Sequence, residues 1–586
     1  MNQTLELLRV AMAKNAIDVY LVFNTDPHQS EYIAEDFMTV KKITNFSGDN
    51  AYLIITQNDA KLYTDSRFEI SGRKELENSQ FDFQLQTKKA ETIISEFIKE
   101  KFNGTAKIGF DGKCTPAATI TALEKLLPQS QINYQADLTP YYWTNKPTPK
   151  LSEIFILDEN FCGQTTTQKI KSVVDKLKAE NIEIYIVSQL DETAWLLNLR
   201  AADIDFCPVF RSFLTITDNG EVSLYIHKQR LKPQIEQYLL YNGINIYQYN
   251  DIYASLEKLN ENLRVGLDIA ESSYKIYSSI NPKCQIFNKK SPLAAEKAIK
   301  NNKELQNIKK TMIEDGVALE KFFYRLEKIT TSNKKTSELE AAAMLYEERS
   351  KRQGFLSESF ECISSVNAHA AMPHYAPSKK TDIIIEKDGI YLVDSGGQYY
   401  TGTTDITRVV PIGNFNQHFK RDYTLVFKAM ADVATLIFPQ GTTGNQIDTI
   451  ARRPLWQYGK NFGHGTGHGV GFCLNVHEGP CGFSPKNNTK LTKGMVITDE
   501  PGIYIENEYG IRIENMLAVV ESEFNGFLKF EVLTLCHIDT KAIDKSLLTT
   551  DEITFLNNYH QNVLKKLSPH LTPDEQKWLK EKCKAI

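Results

Sequence analysis

Three histidines lie in or just after a run that is unusually rich in glycine. Residues 462–471 read FGHGTGHGVG, which places His464 and His468 four positions apart, and His477 follows. This spacing occurs in metal-binding helices, but glycine costs about 1 kcal/mol per residue in a helix, so no helix is expected. Glycine lets side chains and a ligand approach the backbone closely. The run predicts a site loop or an irregular strand, although a single histidine is more often a core residue than a ligand.

Two aspartates lie in or beside apolar, strand-like runs earlier in the chain. Asp394 ends the apolar run of IYLVDSGG, and Asp405 lies in TTDITR, eleven residues later. Two strands joined as a hairpin could bring both carboxylates to one place. An aspartate at the end of an apolar strand is costly unless it has a partner. The alternative for each aspartate is a turn residue that caps backbone N–H groups.

Two glutamates follow in similar surroundings. Glu500 lies in VITDEPG and Glu514 in GIRIEN. The alternation of residues 511–514 places Arg512 and Glu514 on one face of a strand. The alternative for this pair is the polar face of a surface strand.

Together these residues make a candidate metal-binding set: Asp394, Asp405, His468, Glu500 and Glu514. Four buried negative charges would repel one another and take up protons unless cations lay among them. Two divalent ions would balance them. Ligation dominated by oxygen favours Mn²⁺, with Zn²⁺ or Co²⁺ as alternatives. Ions about 3.5–4 Å apart can share a bridging hydroxide that is nucleophilic at neutral pH.

The composition limits the classes of protein that need to be considered. The chain has 586 residues, 41% hydrophobic and 24% charged, which is ordinary for a globular protein of about three domains. The formal net charge is −5, and no long run of lysine or arginine occurs. Nucleic acid and anionic membranes are therefore not expected as partners.

The N-terminal residues MNQTLELLRVAMAKN predict a helix. They lack the basic start, apolar block and small-residue cleavage site of a signal peptide. No run of about 18 apolar residues occurs, so a membrane span is not expected. The nine cysteines are scattered and include no C-x-x-C pair. We therefore expect reduced thiols and a cytoplasmic location.

A weak repeat occupies the first half of the chain. Residues 15–22 (NAIDVYLV) resemble residues 180–187 (ENIEIYIV), and ITQN at 55–58 corresponds to ITDN at 216–219. The nearly constant offset predicts two copies of one α/β domain, each a sheet covered by helices. Coincidence between ordinary strands is the alternative.

The remaining chain begins with helical signals. Two prolines at 145–150 predict a linker, and apolar residues at helical spacing between 305 and 326 predict a long amphipathic helix. Ser337 and Glu340 predict a capping box for the next helix. We expect α/β and α+β domains over residues 1–150, 151–300 and 301–586.

The order of the five candidate ligands resembles the metal-ligand pattern of the pita-bread metallopeptidases, which include methionine aminopeptidase, prolidase and aminopeptidase P. The local signatures VDSGG, TTDITR, GHGTGHGVG, NVHEGP, TDEPG and GIRIEN make this resemblance specific. DPHQSEYIA near residue 26, AWLLNLR near 194 and HYAP at 374 resemble the long, three-domain aminopeptidase P subgroup. The resemblance covers essentially the whole chain. It implies two similar creatinase-like N-terminal α/β domains followed by a pita-bread catalytic domain.

The resemblance also assigns roles to the metal-binding set. Asp394 would bind one ion, His468 and Glu500 would bind the other, and Asp405 and Glu514 would bridge both. Glu500 would also transfer a proton from the attacking hydroxide to the leaving amine.

Further residues are implied to bind substrate. His374 and His477 would hold the peptide and stabilise charge on the carbonyl oxygen. His464 would lie near the proline side of the scissile bond. Arg512 and Tyr504 would support the site.

The implied activity is release of the N-terminal residue from peptides with proline at the second position. The resemblance adds a substrate contact from Arg67 in the first domain and a homodimer formed through the catalytic domain. The closest alternative is a prolidase, which takes only dipeptides ending in proline. A methionine aminopeptidase would not need two front domains. A non-catalytic peptide-binding relative usually loses the metal ligands, which are all present here.

Overall fold

The computed structural model of the protein describes residues 2–332 and 334–586. One compact unit comprises the described residues up to 157 together with residues 164–294, and the other comprises residues 158–163 together with the described residues from 295 to 586. Within the described ranges, no helix combines the length and the apolar character needed to cross a membrane. All nine cysteines are free thiols.

The first half of the first unit is a mixed sheet with helices packed on it. Its strands follow the order β4-β3-β2-β1-β5-β6, with β1 antiparallel to β2 and parallel to β5. The strands are β1 (Val19–Phe23), β2 (Ala51–Ile55), β3 (Ala60–Thr64), β4 (Asp82–Leu85), β5 (Lys107–Gly109) and β6 (Gln131–Asn133). The helices are α1 (Gln3–Lys14), α2 (Thr39–Thr44), α3 (Glu69–Glu75), α4 (Ala90–Phe102), α5 (Ala117–Leu126) and α6 (Thr139–Tyr142).

The second half of this unit repeats that sheet. Its main strands are ordered β12-β11-β10-β8-β13-β14. Here β8 corresponds to β1 and is antiparallel to β10 and parallel to β13. The strands are β7 (Phe155–Ile156), β8 (Ile184–Val187), β9 (Leu199–Arg200), β10 (Ser212–Thr217), β11 (Val222–Ile226), β12 (Ile244–Gln248), β13 (Arg264–Leu267) and β14 (Gln285–Asn288). The repeat predicted from β1 and β8 is therefore confirmed, because the two sheets share both strand order and direction.

The helices of this half lie between the strands of the repeat. They are α8 (Thr166–Ala179), α9 (Leu190–Leu196), α10 (Pro233–Tyr241), α11 (Asp251–Glu257) and α12 (Tyr274–Ser279). The single turn α7 (Glu159–Cys162) belongs to the second unit, and the boundary between the units falls within α13 (Pro292–Ala298). A capping box formed by Thr165 and Gln168 begins α8.

The DPHQSEYIA segment joins the two halves of the first unit. His28 is buried, and its ring contacts Ser188 O at 2.8 Å and the Tyr249 hydroxyl at 2.7 Å. Asp36 forms a buried ion pair with Arg211 from the second half. The segment therefore has a structural explanation within this unit.

The second unit begins with the long helix that the sequence predicts. Its helices are α14 (Asn302–Thr330), α15 (Glu338–Ser350), α16 (Gln417–Ala434), α17 (Gly444–Trp456), α18 (Thr550–Leu567) and α19 (Pro573–Lys582). A capping box of Asn301 and Glu304 begins α14, whose apolar stripe is buried except for the half-buried Leu305. The capping box predicted from Ser337 and Glu340 is confirmed at the start of α15.

Strands of this unit assemble into small antiparallel sheets. They are β15 (Phe355–Glu358), β16 (Ile363–Val366), β17 (Gly389–Ser395), β18 (Gly397–Tyr399), β19 (Gly402–Thr403), β20 (Ile406–Ile412), β21 (Ile437–Pro439), β22 (Gly467–Gly469), β23 (Glu478–Phe483), β24 (Val496–Asp499), β25 (Gly502–Ile505), β26 (Tyr509–Arg512), β27 (Asn515–Glu521) and β28 (Phe527–Val532). One sheet is ordered β16-β17-β20, and another β21-β28-β27-β24-β22-β23. The candidate ligands lie on these two sheets or beside them.

Candidate metal centre

Two neighbouring strands bring the candidate aspartates together. β17 runs antiparallel to β20, and this register places Asp394 opposite Thr407. Asp405 immediately precedes β20, and both aspartates are buried. The connection between the two strands contains the antiparallel pair β18 and β19. The predicted convergence of the two aspartates therefore arises from direct strand pairing.

The glycine-rich run is an irregular strand, as predicted. His468 lies in β22, whose pairing with β23 is broken by an irregularity directly after this residue. The backbone N–H of His468 donates to Thr498 Oγ1 at 3.0 Å, and that of Glu500 donates to Thr466 O at 2.7 Å. These bonds hold the two ligand-bearing segments side by side.

Glu514 joins the group from the bend between β26 and β27. Its backbone N–H donates to Thr407 O at 3.2 Å, and Thr407 Oγ1 donates to its Oε2 at 2.8 Å. Its other oxygen, Oε1, is buried and has no hydrogen-bond partner among the described residues, and the same holds for Oδ1 of Asp394. Two acceptor oxygens therefore remain open towards the cluster.

One hydrogen bond determines the tautomer of His468. Its Nδ1 lies 3.0 Å from Gly469 O, and because a carbonyl can only accept, Nδ1 carries the proton. Nε2 lies 3.4 Å from Asp405 Oδ2 and 3.5 Å from Glu500 Oε1. In the neutral ring the Nε2 lone pair therefore points at negatively charged oxygens, an arrangement that a cation between them would stabilise.

The electrostatics of the cluster point the same way. The ligand atoms of Asp405, His468 and Glu514 all lie within 4.8 Å of one another. Burial raises the pKa of Glu514 well above its usual value, and the charges of Asp405, Asp394 and Glu500 raise this pKa further. Burial is also the main cause of the raised pKa values of Asp394 and Glu500. Carboxylate oxygens and one imidazole nitrogen, crowded and short of cations, fit a pair of divalent ions.

A chain of hydrogen bonds leads away from Asp394. Arg512 donates to Asp394 Oδ2 from Nη2 at 2.5 Å and from Nε at 3.1 Å, and its Nη1 donates to the Tyr504 hydroxyl at 2.7 Å. That hydroxyl lies 2.7 Å from His464 Nε2. Because His464 Nδ1 faces Gly465 O at 2.7 Å, the neutral ring accepts from Tyr504 through Nε2. Burial raises the pKa of Tyr504 to about 12, so the phenol remains a donor at neutral pH.

Comparisons with known proteins agree with this architecture. Residues 306–521 match metallopeptidase family M24, and residues 526–586 match the C-terminal region of peptidase M24. Residues 5–139 and 145–304 each match a creatinase/prolidase N-terminal domain. A protein of Coprinopsis cinerea named probable Xaa-Pro aminopeptidase P is 36% identical over 614 aligned residues, which cover 100% of this chain and 98% of the relative.

The chain belongs to the M24 metallopeptidases. Among solved structures, X-prolyl aminopeptidase from Caenorhabditis elegans, described as a cytosolic enzyme with a di-nuclear active site, superposes with a TM-score of 0.95 at 33% identity. The superposition covers 100% of this chain and 99% of that one. Xaa-Pro dipeptidase from Bacillus anthracis shares the fold over only 63% of this chain, which covers 98% of the dipeptidase, with a TM-score of 0.50 at 24% identity.

The remaining predicted residues of this M24 protein lie in different surroundings. The ring of His477 packs edge-on against that of His468, with centroids 4.2 Å apart. His374 is half-buried and follows Pro373, whose carbonyl accepts from Arg512 Nη2 at 3.4 Å. His477 therefore contacts a proposed ligand, and the segment that carries His374 contacts the arginine that is bonded to Asp394.

Arg67 lies in the other unit, directly after β3. It donates to both carboxylate oxygens of Asp65, at 3.0 and 2.9 Å, and lies 3.5 Å from Asp49. Its contact with substrate stays a prediction.

Sequence reasoning did not identify the buried residues that hold the loops of this site. The carboxylate of Glu338 accepts from the Val366 N–H, from the His369 ring and from the Tyr375 hydroxyl, so that it ties down both sides of the segment carrying His374. These partners lie far from Glu338 in sequence, and nothing in the local pattern links them.

The other two histidine loops are held in a similar way. Glu478, next to His477, forms buried ion pairs with Lys297 and Lys300. Arg452 pairs with Asp448 on α17 and donates to the carbonyl of His464 at 2.7 Å. The NVHEGP motif includes Glu478 and offered the one local signal for these anchors.

Proposed function

We propose that the protein is a metalloaminopeptidase that releases the N-terminal residue from peptides with proline at the second position. The observation that carries the proposal is the convergence of three buried carboxylates, the half-buried Glu500 and the Nε2 lone pair of His468 in a chain of this family. Its support is the full-length relationship to Xaa-Pro aminopeptidases, whereas the dipeptidase likeness covers only part of the chain.

We assign the metal ligands as Asp394, Asp405, His468, Glu500 and Glu514. When bound by these residues, two divalent ions would supply Lewis acidity and would lower the pKa of a water molecule, which makes that water a better nucleophile at neutral pH. Mn²⁺ is our proposed metal because four of the five ligands are carboxylates. The Asp394 carboxylate is oriented by Arg512, which holds one oxygen and leaves the other open.

Glu500 transfers the proton that the reaction must move. Water adds its oxygen to the substrate carbonyl carbon, and the Glu500 carboxylate accepts the proton released. When the carbon–nitrogen bond breaks, Glu500 returns that proton to the proline nitrogen. This delivery matters because the leaving group is a secondary amine, which is a poor leaving group until it is protonated.

Histidines complete the proposed site. His374 and His477 donate hydrogen bonds to the carbonyl oxygen as it gains negative charge. His464, fixed by Tyr504, lies beside the proline ring. The bond before proline has no N–H to grip, so recognition by ring shape and by these side chains replaces a backbone contact.

Further assignments of location, oligomeric state and domain bounds accompany this proposal. We propose a cytoplasmic homodimer formed through the catalytic domain, acting on peptides, with Arg67 contacting the substrate from the first domain. We also keep the division into domains at 1–150, 151–300 and 301–586. The oligomeric state is measured directly by light scattering of the purified protein.

The test of the function compares substrates and one variant. After metal removal and reloading with Mn²⁺, the protein should cleave Ala-Pro-Ala faster than the dipeptide Ala-Pro. Glu500→Gln should lower kcat by roughly 10²–10⁴-fold, because the proton carrier is lost. Glu506→Gln, on the exposed turn between β25 and β26, is the matched control and should retain activity.

Three outcomes would contradict the proposal. Cleavage of Ala-Pro alone would identify a prolidase. Peptide binding without turnover by the fully loaded protein would identify a binding module. Full activity of Glu500→Gln would remove Glu500 from its proposed role.

A further inference from the structure

Arg408 is a buried arginine directly behind the candidate metal centre. It lies in β20, three residues after Asp405, and is 3% exposed. Side chains alternate along a strand, so Thr407 faces the cluster and Arg408 points to the opposite side. From there its guanidinium reaches back to the backbone of Glu514.

Six acceptors surround this guanidinium, and all of them are neutral. Nε donates to His537 O at 3.0 Å, and Nη1 donates to Thr407 O at 3.0 Å and Glu514 O at 2.5 Å. Nη2 donates to Asn515 Oδ1, Cys536 O and the Tyr559 hydroxyl at 2.9, 3.0 and 2.9 Å. Among the residues that the structure describes, no carboxylate forms an ion pair with Arg408.

This arrangement differs from an ordinary buried salt bridge. A buried cation is costly unless its donors are fully used, and here Nε, Nη1 and Nη2 all donate to neutral oxygens. One nitrogen, Nη1, bonds the carbonyls of both Thr407 and Glu514. Because Thr407 lies two residues after Asp405, that nitrogen connects the segment that contains Asp405 to the bend that contains Glu514.

A second layer holds the far side of the guanidinium. The Tyr559 hydroxyl accepts from Arg408 and donates to Cys536 O at 2.7 Å. Glu320 binds both the backbone N–H and the Nδ1 of His537, each at 2.7 Å. The orientation of the fork is therefore fixed by α14 and α18 as well as by β20.

We infer that Arg408 is a positioning residue that sets the separation of the Asp405 and Glu514 carboxylates, and through it the affinity of the second divalent ion. The inference rests on the proposed function only for the assignment of these two ligands. Arg408 itself touches neither substrate nor metal.

The Arg408→Lys variant tests the inference because lysine keeps the positive charge and lacks the planar guanidinium with its several donor nitrogens. Its ammonium places all its donors on one atom and cannot span carbonyls on opposite sides of a planar group. In Arg408→Lys we expect the first Mn²⁺ to bind almost as in the wild type and the second to bind roughly 10–100-fold more weakly. kcat should fall with little change in KM, because His464, Tyr504 and Arg512 are untouched.

The experiment counts ions and adds excess metal. Wild-type and Arg408→Lys proteins are titrated with Mn²⁺ after chelation, and bound metal is measured by mass spectrometry. The wild type should hold two ions per chain and the variant one at low free Mn²⁺. Excess Mn²⁺ should restore kcat in the variant. A variant with a purely structural defect would stay inactive in excess Mn²⁺.

Lys428→Met is the matched control. Lys428 pairs with Glu552 between α16 and α18 in the same unit, and neither residue is among the proposed ligands. It should lower thermal stability and leave both Mn²⁺ affinities unchanged. If Arg408→Lys does not fold, Tyr559→Phe replaces it, with an expected few-fold loss of affinity for the second ion.

Two results would overturn the inference. One is wild-type affinity for both ions in Arg408→Lys or, if that variant does not fold, in Tyr559→Phe. The other is loss of activity that excess Mn²⁺ does not restore. A wild-type protein that binds two ions but hydrolyses no peptide would instead defeat the proposed function, since counting metal needs no substrate.

Discussion

The catalytic unit contains two kinds of buried carboxylate. Asp315 on α14 is bonded by Arg349 from two nitrogens, at 2.8 and 3.2 Å, and accepts a third bond from the Tyr399 hydroxyl at 2.9 Å. Glu514 is equally buried; Thr407 donates to one of its oxygens, and in the described part of the chain no group donates to the other. The first carboxylate is balanced by the protein itself, and the second is not.

The difference separates structure from function. A carboxylate paired with its own buried cation has a structural role, because its removal would leave that cation without a counterion. Carboxylates that are buried together without sufficient cations oppose folding unless something from outside binds. The comparison therefore predicts opposite effects of neutralising the two kinds of residue.

The largest expected effect follows from Asp405→Asn. Loss of one proposed bridging carboxylate should lower kcat/KM by on the order of 10³-fold or more, because bound metal contributes several kcal/mol of transition-state stabilisation. The metal-free variant should be at least as stable as the metal-free wild type. Steady-state kinetics and urea unfolding in chelator measure both. A variant that loses several kcal/mol of metal-free stability would break the comparison.

Asp315→Asn should show the reverse pattern. It leaves the buried Arg349 guanidinium without a counterion, which typically costs about 3–5 kcal/mol of unfolding free energy. Mn²⁺ binding should persist in whatever fraction remains folded. Calorimetry and metal counting test this, and an unfolding free energy equal to that of the wild type would show that the ion pair is dispensable.

The smallest effect concerns pH in the metal-free protein. Folding raises the pKa of Glu514, so its contribution is most favourable below the unfolded value of 4.5 and is lost as pH rises through the folded pKa. The loss amounts to about 1.4 kcal/mol for each unit by which the pKa is raised. Glu514→Gln should therefore lose less stability than the wild type between pH 5 and pH 8, as measured by urea unfolding. Parallel pH profiles would contradict the expected repulsion.

Local patterns predicted much of the fold. The family, the fold class and the aminopeptidase function inferred from the motifs are confirmed by the comparisons. The internal repeat could be predicted because the strand pattern and the turn residues that reveal it lie close together in sequence. The capping box at Ser337 could be predicted for the same reason, since its partner is three residues away, and the structure confirms it.

The anchors of the site could not be predicted in this way. Arg408 bonds the carbonyls of residues more than one hundred positions away, and a carbonyl has no sequence signature. Glu338 likewise meets His369 and Tyr375 only after folding. The roles given to the five ligands, to the histidines and to Arg67 stay predictions, as do the Mn²⁺ preference and the dimer.

The bond between His468 Nδ1 and Gly469 O has a consequence for metal loading. This bond holds the ring with its unprotonated nitrogen directed at Asp405 and Glu500, so the side chain presents one orientation to a bound ion. Metal binding therefore costs little rotational entropy at this side chain. The glycine-rich strand thus orients His468 for metal binding.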